Sequence, residues 1–182
     1  QAYGGGLIGM LLFASNGGAP AAVGGSTISN SFSSSPTVTC TAPAKAVSCG
    51  GLIGINRDYV TMSNVYSHRA GGQTISSTTY AASTNNGIGG LIGTLIAEYD
   101  FSVSITNAYS TATVSGTQAG NNNYGGGFIG GISQFVVGAT TQSLSITSAY
   151  ATGNVSITAG IAGGFVGYID SDGGTISFTR VH

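Results

Sequence analysis

A short apolar block set between glycines returns five times along this chain. It reads Gly5-Gly6-Leu7-Ile8-Gly9, Gly50-Gly51-Leu52-Ile53-Gly54, Gly89-Gly90-Leu91-Ile92-Gly93, Gly126-Gly127-Phe128-Ile129-Gly130 and Gly163-Gly164-Phe165-Val166-Gly167. Between the second glycines (Gly6, Gly51, Gly90, Gly127, Gly164) the steps are 45, 39, 37 and 37 residues. Apolar blocks recurring roughly every 20–50 residues mark solenoids, because so small a unit buries its apolar face only on a neighbour. A second shared element follows each of the first four blocks: Thr27-Ile28-Ser29-Asn30-Ser31-Phe32-Ser33, Thr61-Met62-Ser63-Asn64-Val65-Tyr66-Ser67, Ser104-Ile105-Thr106-Asn107-Ala108-Tyr109-Ser110 and Ser145-Ile146-Thr147-Ser148-Ala149-Tyr150-Ala151. It alternates apolar with small polar residues, the two-residue period of a half-buried strand. On that period Ile28, Met62, Ile105 and Ile146 take one inward position. Phe32, Tyr66, Tyr109 and Tyr150 lie four residues on and are expected inward too, as an aromatic ladder. A third, looser element is Thr37-Val38-Thr39, Thr74-Ile75-Ser76, Thr113-Val114-Ser115 and Asn154-Val155-Ser156.

The pattern predicts an all-β fold, a parallel β-solenoid (β-helix) of about five coils with three short strands per coil. Residues 1–182 form one repeat domain, with units at approximately 3–48, 49–87, 88–123, 124–161 and an incomplete 162–182. Stacked coils would pair each strand with its copies about 4.7–4.9 Å above and below. Leu7, Leu52, Leu91, Phe128 and Phe165 then form a core ladder. The repeat glycines (Gly6 and Gly9, Gly51 and Gly54, Gly90 and Gly93, Gly127 and Gly130, Gly164 and Gly167) are expected to permit positive φ and close backbone approach at a tight corner. No Lys-Ser/Thr follows any copy, which sets aside a phosphate cradle.

These residues resemble the GLUG-motif repeat, whose consensus runs from a Gly-Gly-Leu-Val-Gly strand to Ile-any-Asn-Ser-Tyr-Ala-Thr-Gly and Val-Ser-Gly. Ser148-Ala149-Tyr150-Ala151-Thr152-Gly153-Asn154-Val155-Ser156 is the nearest copy. The resemblance touches every repeat apart from the inserts, such as Gly9 to Gly25 and Thr94 to Val103. It implies an extracellular β-solenoid module of large bacterial surface and adhesin-like proteins, with no activity of its own.

Composition narrows the classes. Only 5% of residues are charged, against about 25% in ordinary soluble domains. The net charge is −1, with Lys45, Arg57, Arg69 and Arg180 scattered, so there is no basic stripe for nucleic acid. No apolar run approaches the roughly 18–20 residues that span a bilayer. Gln1 in place of Met reads as a processed terminus or the edge of a fragment. Such sparse charge suits the cell exterior better than a crowded cytosol. Cys40 and Cys49, the only cysteines, predict a small-loop disulfide consistent with export.

Candidates for chemistry are few, and neither catalytic residues, a metal site nor a cofactor is expected. The acids are Asp58, Glu98, Asp100, Asp170 and Asp172. Of these, only Glu98 and Asp100 are near one another outside the Asp170-Ser171-Asp172-Gly173-Gly174 turn. That turn starts like a calcium loop but has Val181 where the loop's twelfth-position Glu belongs. His68 has no acid beside it in sequence and reads as solvated at a strand end. Asn154-Val155-Ser156 is a glycosylation sequon lying on a predicted strand. A flat hydroxylated face for ice requires a regular Thr-any-Thr array. Thr37-Val38-Thr39-Cys40-Thr41 and Thr111-Ala112-Thr113 fit it, whereas Thr74-Ile75-Ser76 and Asn154-Val155-Ser156 break it.

Solenoids normally carry polar caps, and neither end of this array shows one. The expectation is a non-enzymatic extracellular subunit whose coils stack head to tail on copies of itself into a surface filament, with adhesion as its use. The alternative is a segment of a large secreted adhesin that binds glycan or matrix through insert aromatics (Phe13, Tyr59, Tyr80, Tyr99, Phe101, Phe135) and does not self-assemble.

Overall fold

In the computed structural model, described for residues 1–12, 25–42, 45–57, 59–79, 86–98, 102–118, 123–135, 143–170 and 174–182, the chain winds through five successive coils. The first holds β1 (Ala2–Gly5), β2 (Ile8–Leu12), β3 (Ser26–Ser33) and β4 (Thr37–Ala42). The second holds β5 (Val47–Gly50), β6 (Ile53–Arg57), β7 (Val60–Ser67) and β8 (Thr74–Thr79). The third holds β9 (Asn86–Gly89), β10 (Ile92–Glu98), β11 (Ser102–Ser110) and β12 (Thr113–Gln118). The fourth holds β13 (Asn123–Gly126), β14 (Ile129–Phe135), β15 (Ser143–Ala151) and β16 (Val155–Thr158). The fifth holds β17 (Ile161–Gly163), β18 (Val166–Asp170) and β19 (Thr175–Val181).

Equivalent strands pair in parallel, coil on coil, so the all-β parallel solenoid of about five coils is the observed fold. The first sheet runs β1-β5-β9-β13-β17, the second β2-β6-β10-β14-β18, the third β3-β7-β11-β15-β19 and the fourth β4-β8-β12-β16. Each full coil therefore carries four strands, not three. The glycine block is the reason: it is a corner between two strands rather than one strand. The chain doubles back over Gly51-Leu52 so tightly that a Cβ on Gly50 would sit 1.9 Å from the Ile53 carbonyl oxygen. The corner Leu or Phe turns inward, and Leu52, Leu91 and Phe128 are fully buried.

Positive φ is not what the repeat glycines supply. Among the described glycines only Gly71 and Gly72 adopt it; the corner glycines are needed for close approach alone. They let the first and second sheets touch. A Cβ on Gly54 would lie 2.7 Å from the Gly4 oxygen, on Gly93 2.5 Å from the Cys49 nitrogen, and on Gly130 2.3 Å from the Ile88 nitrogen. Two apolar cores flank this contact. Leu52, Met62, Leu91, Ile105, Phe128 and Ile146 belong to the one between the second and third sheets. Val38, Val47, Ile75, Ile88 and Val114 belong to the other, between the first and fourth. The Cys40–Cys49 disulfide (Cα–Cα 5.9 Å) lies in that second core and ties β4 to β5. Closing so short a loop contributes about 2–3 kcal/mol.

The left-handed region is used in the third sheet instead, at one equivalent place per coil: Asn30 (φ 49°), Asn64 (55°), Asn107 (53°), Ser148 (54°) and Arg180 (54°). Asn tolerates this conformation better than most residues. One such residue within a strand shifts the in–out alternation by a step. In β7 the buried residues are Val60, Met62, Val65 and Ser67, and Tyr66 turns outward. The expectation that Phe32, Tyr66, Tyr109 and Tyr150 share the inward face of Ile28, Met62, Ile105 and Ile146 is thereby corrected. The ladder exists, on the outside.

Candidate functional site

Among the described residues, two outward faces carry ordered columns of side chains along the axis. On the third sheet the aromatic rings stack along the axis. Phe32 and Tyr66 have centroids 4.9 Å apart at 5°, Tyr66 and Tyr109 4.8 Å at 3°, and Tyr109 and Tyr150 5.0 Å at 4°. His182 extends the stack beyond Tyr150 at 5.6 Å and 11°. Parallel pairing at the strand spacing dictates this separation, since equivalent side chains project from successive coils. Beside the rings runs a column of left-handed asparagines, in which Asn64 Nδ2 donates to Asn30 Oδ1 (3.0 Å) and Asn107 Nδ2 to Asn64 Oδ1 (3.3 Å). Rings and asparagines line a shallow groove of about 430 Å³. Ring faces are covered by their neighbours, so a sugar approaching from the side meets ring edges. Open faces occur only at the two ends of the stack.

Burial, and behind it the neighbouring Tyr150 and Tyr66, raises the Tyr109 pKa above the ordinary tyrosine value of about 10. A folded-state pKa above the unfolded one means that stability is fully present below about pH 10 and is lost as pH rises further. Thermal unfolding followed by circular dichroism is expected to show a falling midpoint above that pH, and a smaller fall in Tyr109→Phe.

The second face is the outer side of the fourth sheet. Register aligns Thr37, Thr74 and Thr113 in one column, Thr39, Ser76, Ser115 and Ser156 in the next, and Thr41, Thr78, Thr117 and Thr158 in a third. All of these are exposed or half-exposed, while Val38, Ile75 and Val114 between them point into the core. Thr39 Oγ1 and Ser76 Oγ share a hydrogen bond of 3.1 Å across coils. The regularity judged insufficient from sequence is thus present once Ser counts with Thr and the third hydroxyl is included. Thr111 lies outside the array, next to His68, whose Nδ1 is 2.8 Å from Thr111 Oγ1.

The remaining candidates disperse. Asp58, Asp100 and Asp172 lie outside the described residues, as do Phe13, Tyr80, Tyr99, Phe101 and the side chains of Glu98 and Phe135. Asp170 ends β18 on the fifth coil. Among the described residues no group of three or more His, Cys, Asp or Glu could hold a metal ion, and no helix is long and apolar enough to cross a membrane. Asn154 of the sequon precedes β16 rather than lying on it, and is exposed. Sequence reasoning weighed a hydroxylated face and found its pattern broken; the signal left uncounted was a further hydroxyl two residues past each of the four triplets, at Thr41, Thr78, Thr117 and Thr158. Comparison with protein-family models, with curated proteins and with solved structures returned no match.

Proposed function

We propose that this chain is a non-enzymatic structural module of the cell exterior that stacks head to tail on copies of itself into a filament. One observation carries the reading: both end coils present the unpaired edges of the same columns that are buried between coils. At one end Leu7 is 52% exposed and Met10 45%; at the other Ile161 is 47% and Phe178 37%. In the Leu7 column the inner members Leu52, Leu91 and Phe128 are 0% exposed. Through its three strands a fifth coil therefore matches the corresponding strands of a first coil in direction, in spacing and in which side chains need covering. Sparse charge and the disulfide support an exterior location, and the resemblance to the GLUG-motif repeat agrees with it.

A single glycine tests this without disturbing the chain. In each inner coil a Cβ on the second glycine would strike the next coil: 2.1 Å from the Gly90 oxygen at Gly51, 2.0 Å from the Gly127 oxygen at Gly90, and 2.2 Å from the Gly164 oxygen at Gly127. At Gly164 nothing lies within 4 Å. By electron microscopy the wild-type chain is expected to form filaments with an axial repeat of about 24 Å, five coils at the strand spacing. Gly164→Ala is expected to leave the circular dichroism and melting of the single chain unchanged and to abolish the filaments, because the new methyl meets the next copy's first coil. Wild-type chains that remain separate rods, or Gly164→Ala filaments as long as wild type, overturn the proposal.

A further inference from the structure

We infer that the hydroxyl face of the fourth sheet is a lateral seam, pairing with the same face of a second copy so that filaments associate side by side. The inference rests on the end-to-end reading, for a reason of area. The strands of this sheet are at most six residues long, about 20 Å at the usual rise, and four coils stand about 19 Å high. Two such faces bury roughly 800 Å² between them, short of the roughly 1,200–2,000 Å² of stable specific interfaces. A lone chain therefore holds a lateral partner only weakly and transiently. In a filament every added copy contributes another face against the same neighbour, and association strengthens with length as in any multivalent contact.

Three observations favour a second copy as the occupant. First, no outward side chain on β4, β8, β12 or β16 among those described is charged or aromatic. An ionic ligand finds no counter-charge there, and a planar sugar ring finds no stacking platform. Second, the columns repeat at the strand spacing along the axis, and an identical sheet repeats at the same spacing by construction, so contacts made at one coil recur at each of the four coils that carry this sheet. Third, Ser and Thr project little from the sheet and each offers a donor and acceptors. Two such faces therefore approach closely with their hydroxyls satisfied across the seam, as Thr39 and Ser76 already are within one sheet.

Ser115 sits in the middle column of the third coil, and Ser115→Lys places like charges where two faces meet. Negative-stain microscopy is expected to show wild-type filaments in bundles, and Ser115→Lys filaments single, with length and axial repeat unchanged. High salt is expected to restore bundling in the variant by screening the repulsion. Single wild-type filaments, or bundles that survive Ser115→Lys at low salt, overturn the seam. So does a wild-type chain whose filaments stay single while it concentrates in growing ice, which assigns the face to an ordered water lattice. If no filaments form, the end-to-end reading fails on its own, and the seam is read on separate rods. At millimolar concentration, Ser115→Cys is then expected to give bismaleimide-linked dimers several-fold in excess of Ser104→Cys on the outer face of the third sheet. Equal yields overturn it. The native cysteines, paired with each other, do not react.

Discussion

Replacing Gly93 with alanine is expected to unfold the chain or leave it insoluble, although only one methyl group is added. Gly93 lies in β10 where the second sheet presses against the first. Its Cβ would be 2.4 Å from the Gly54 oxygen and 2.5 Å from the Cys49 nitrogen. Both are backbone atoms, and Cys49 is held in place by β5 pairing and by its disulfide. No rotamer change relieves such a contact, so the two sheets must separate locally and lose packing in the coils above and below. The cost is expected to exceed about 4–5 kcal/mol, the range reached by few single substitutions. Urea unfolding of Gly93→Ala beside Gly164→Ala measures it, the second variant controlling for glycine loss at a repeat position with open space. A Gly93→Ala chain within about 1 kcal/mol of wild type would mean that the sheets are not in contact there.

Truncating Phe128 to alanine is expected to cost about 3–5 kcal/mol, a fall in Tm of roughly 6–20 °C for a chain of this size. Phe128 is fully buried and stacks on Phe165 with centroids 4.6 Å apart at 7°. Its own backbone is hydrogen-bonded to a coil on either side, Leu91 N–H donating to the Phe128 oxygen and Phe128 N–H to the Phe165 oxygen (2.9 Å each), so the backbone cannot collapse into the vacated space. Phe128→Leu restores the residue found at the same corner in coils two and three, and its loss is expected to stay below about 1.5 kcal/mol. Calorimetry on the two variants separates cavity formation from the mere loss of a ring. Equal losses would show that the stacking, not the volume, matters at this corner.

The solenoid was legible because its core is built from columns, and a column writes the same residue type at a nearly constant interval. Leu52, Leu91 and Phe128 announce one column, and Met62, Ile105 and Ile146 another. Cys40 and Cys49 were legible as a pair because no other thiol competes. What failed was extrapolation of local period. Counting by twos from Met62 carries Tyr66 inward, and only the left-handed Asn64 reverses it. An asparagine at the same place in three coils is the available signal, and alternation alone does not report it. Reading Gly-Gly-Leu-Ile-Gly as one strand overlooked that paired glycines permit a fold-back as readily as an extension. The outward faces were hardest: exposed positions bear no packing demand, so Thr and Ser interchange and the column shows only when strands are set side by side.

The lengths of the connections divide the chain into a constant part and a variable one. Between the first and second sheets each coil spends two residues, Gly6-Leu7, Gly51-Leu52, Gly90-Leu91, Gly127-Phe128 and Gly164-Phe165. Between the second and third sheets it spends 13, 2, 3, 7 and 4 residues, at 13–25, 58–59, 99–101, 136–142 and 171–174. Pairing in the third sheet keeps step regardless, with Ser26, Val60, Val103 and Leu144 aligned. Growth in length at that margin, where the spread is widest, thus leaves the stack unaltered, which makes the molecule a natural scaffold for display: foreign peptides grafted there would emerge along one flank at intervals set by the coil, with orientation and spacing inherited from the backbone.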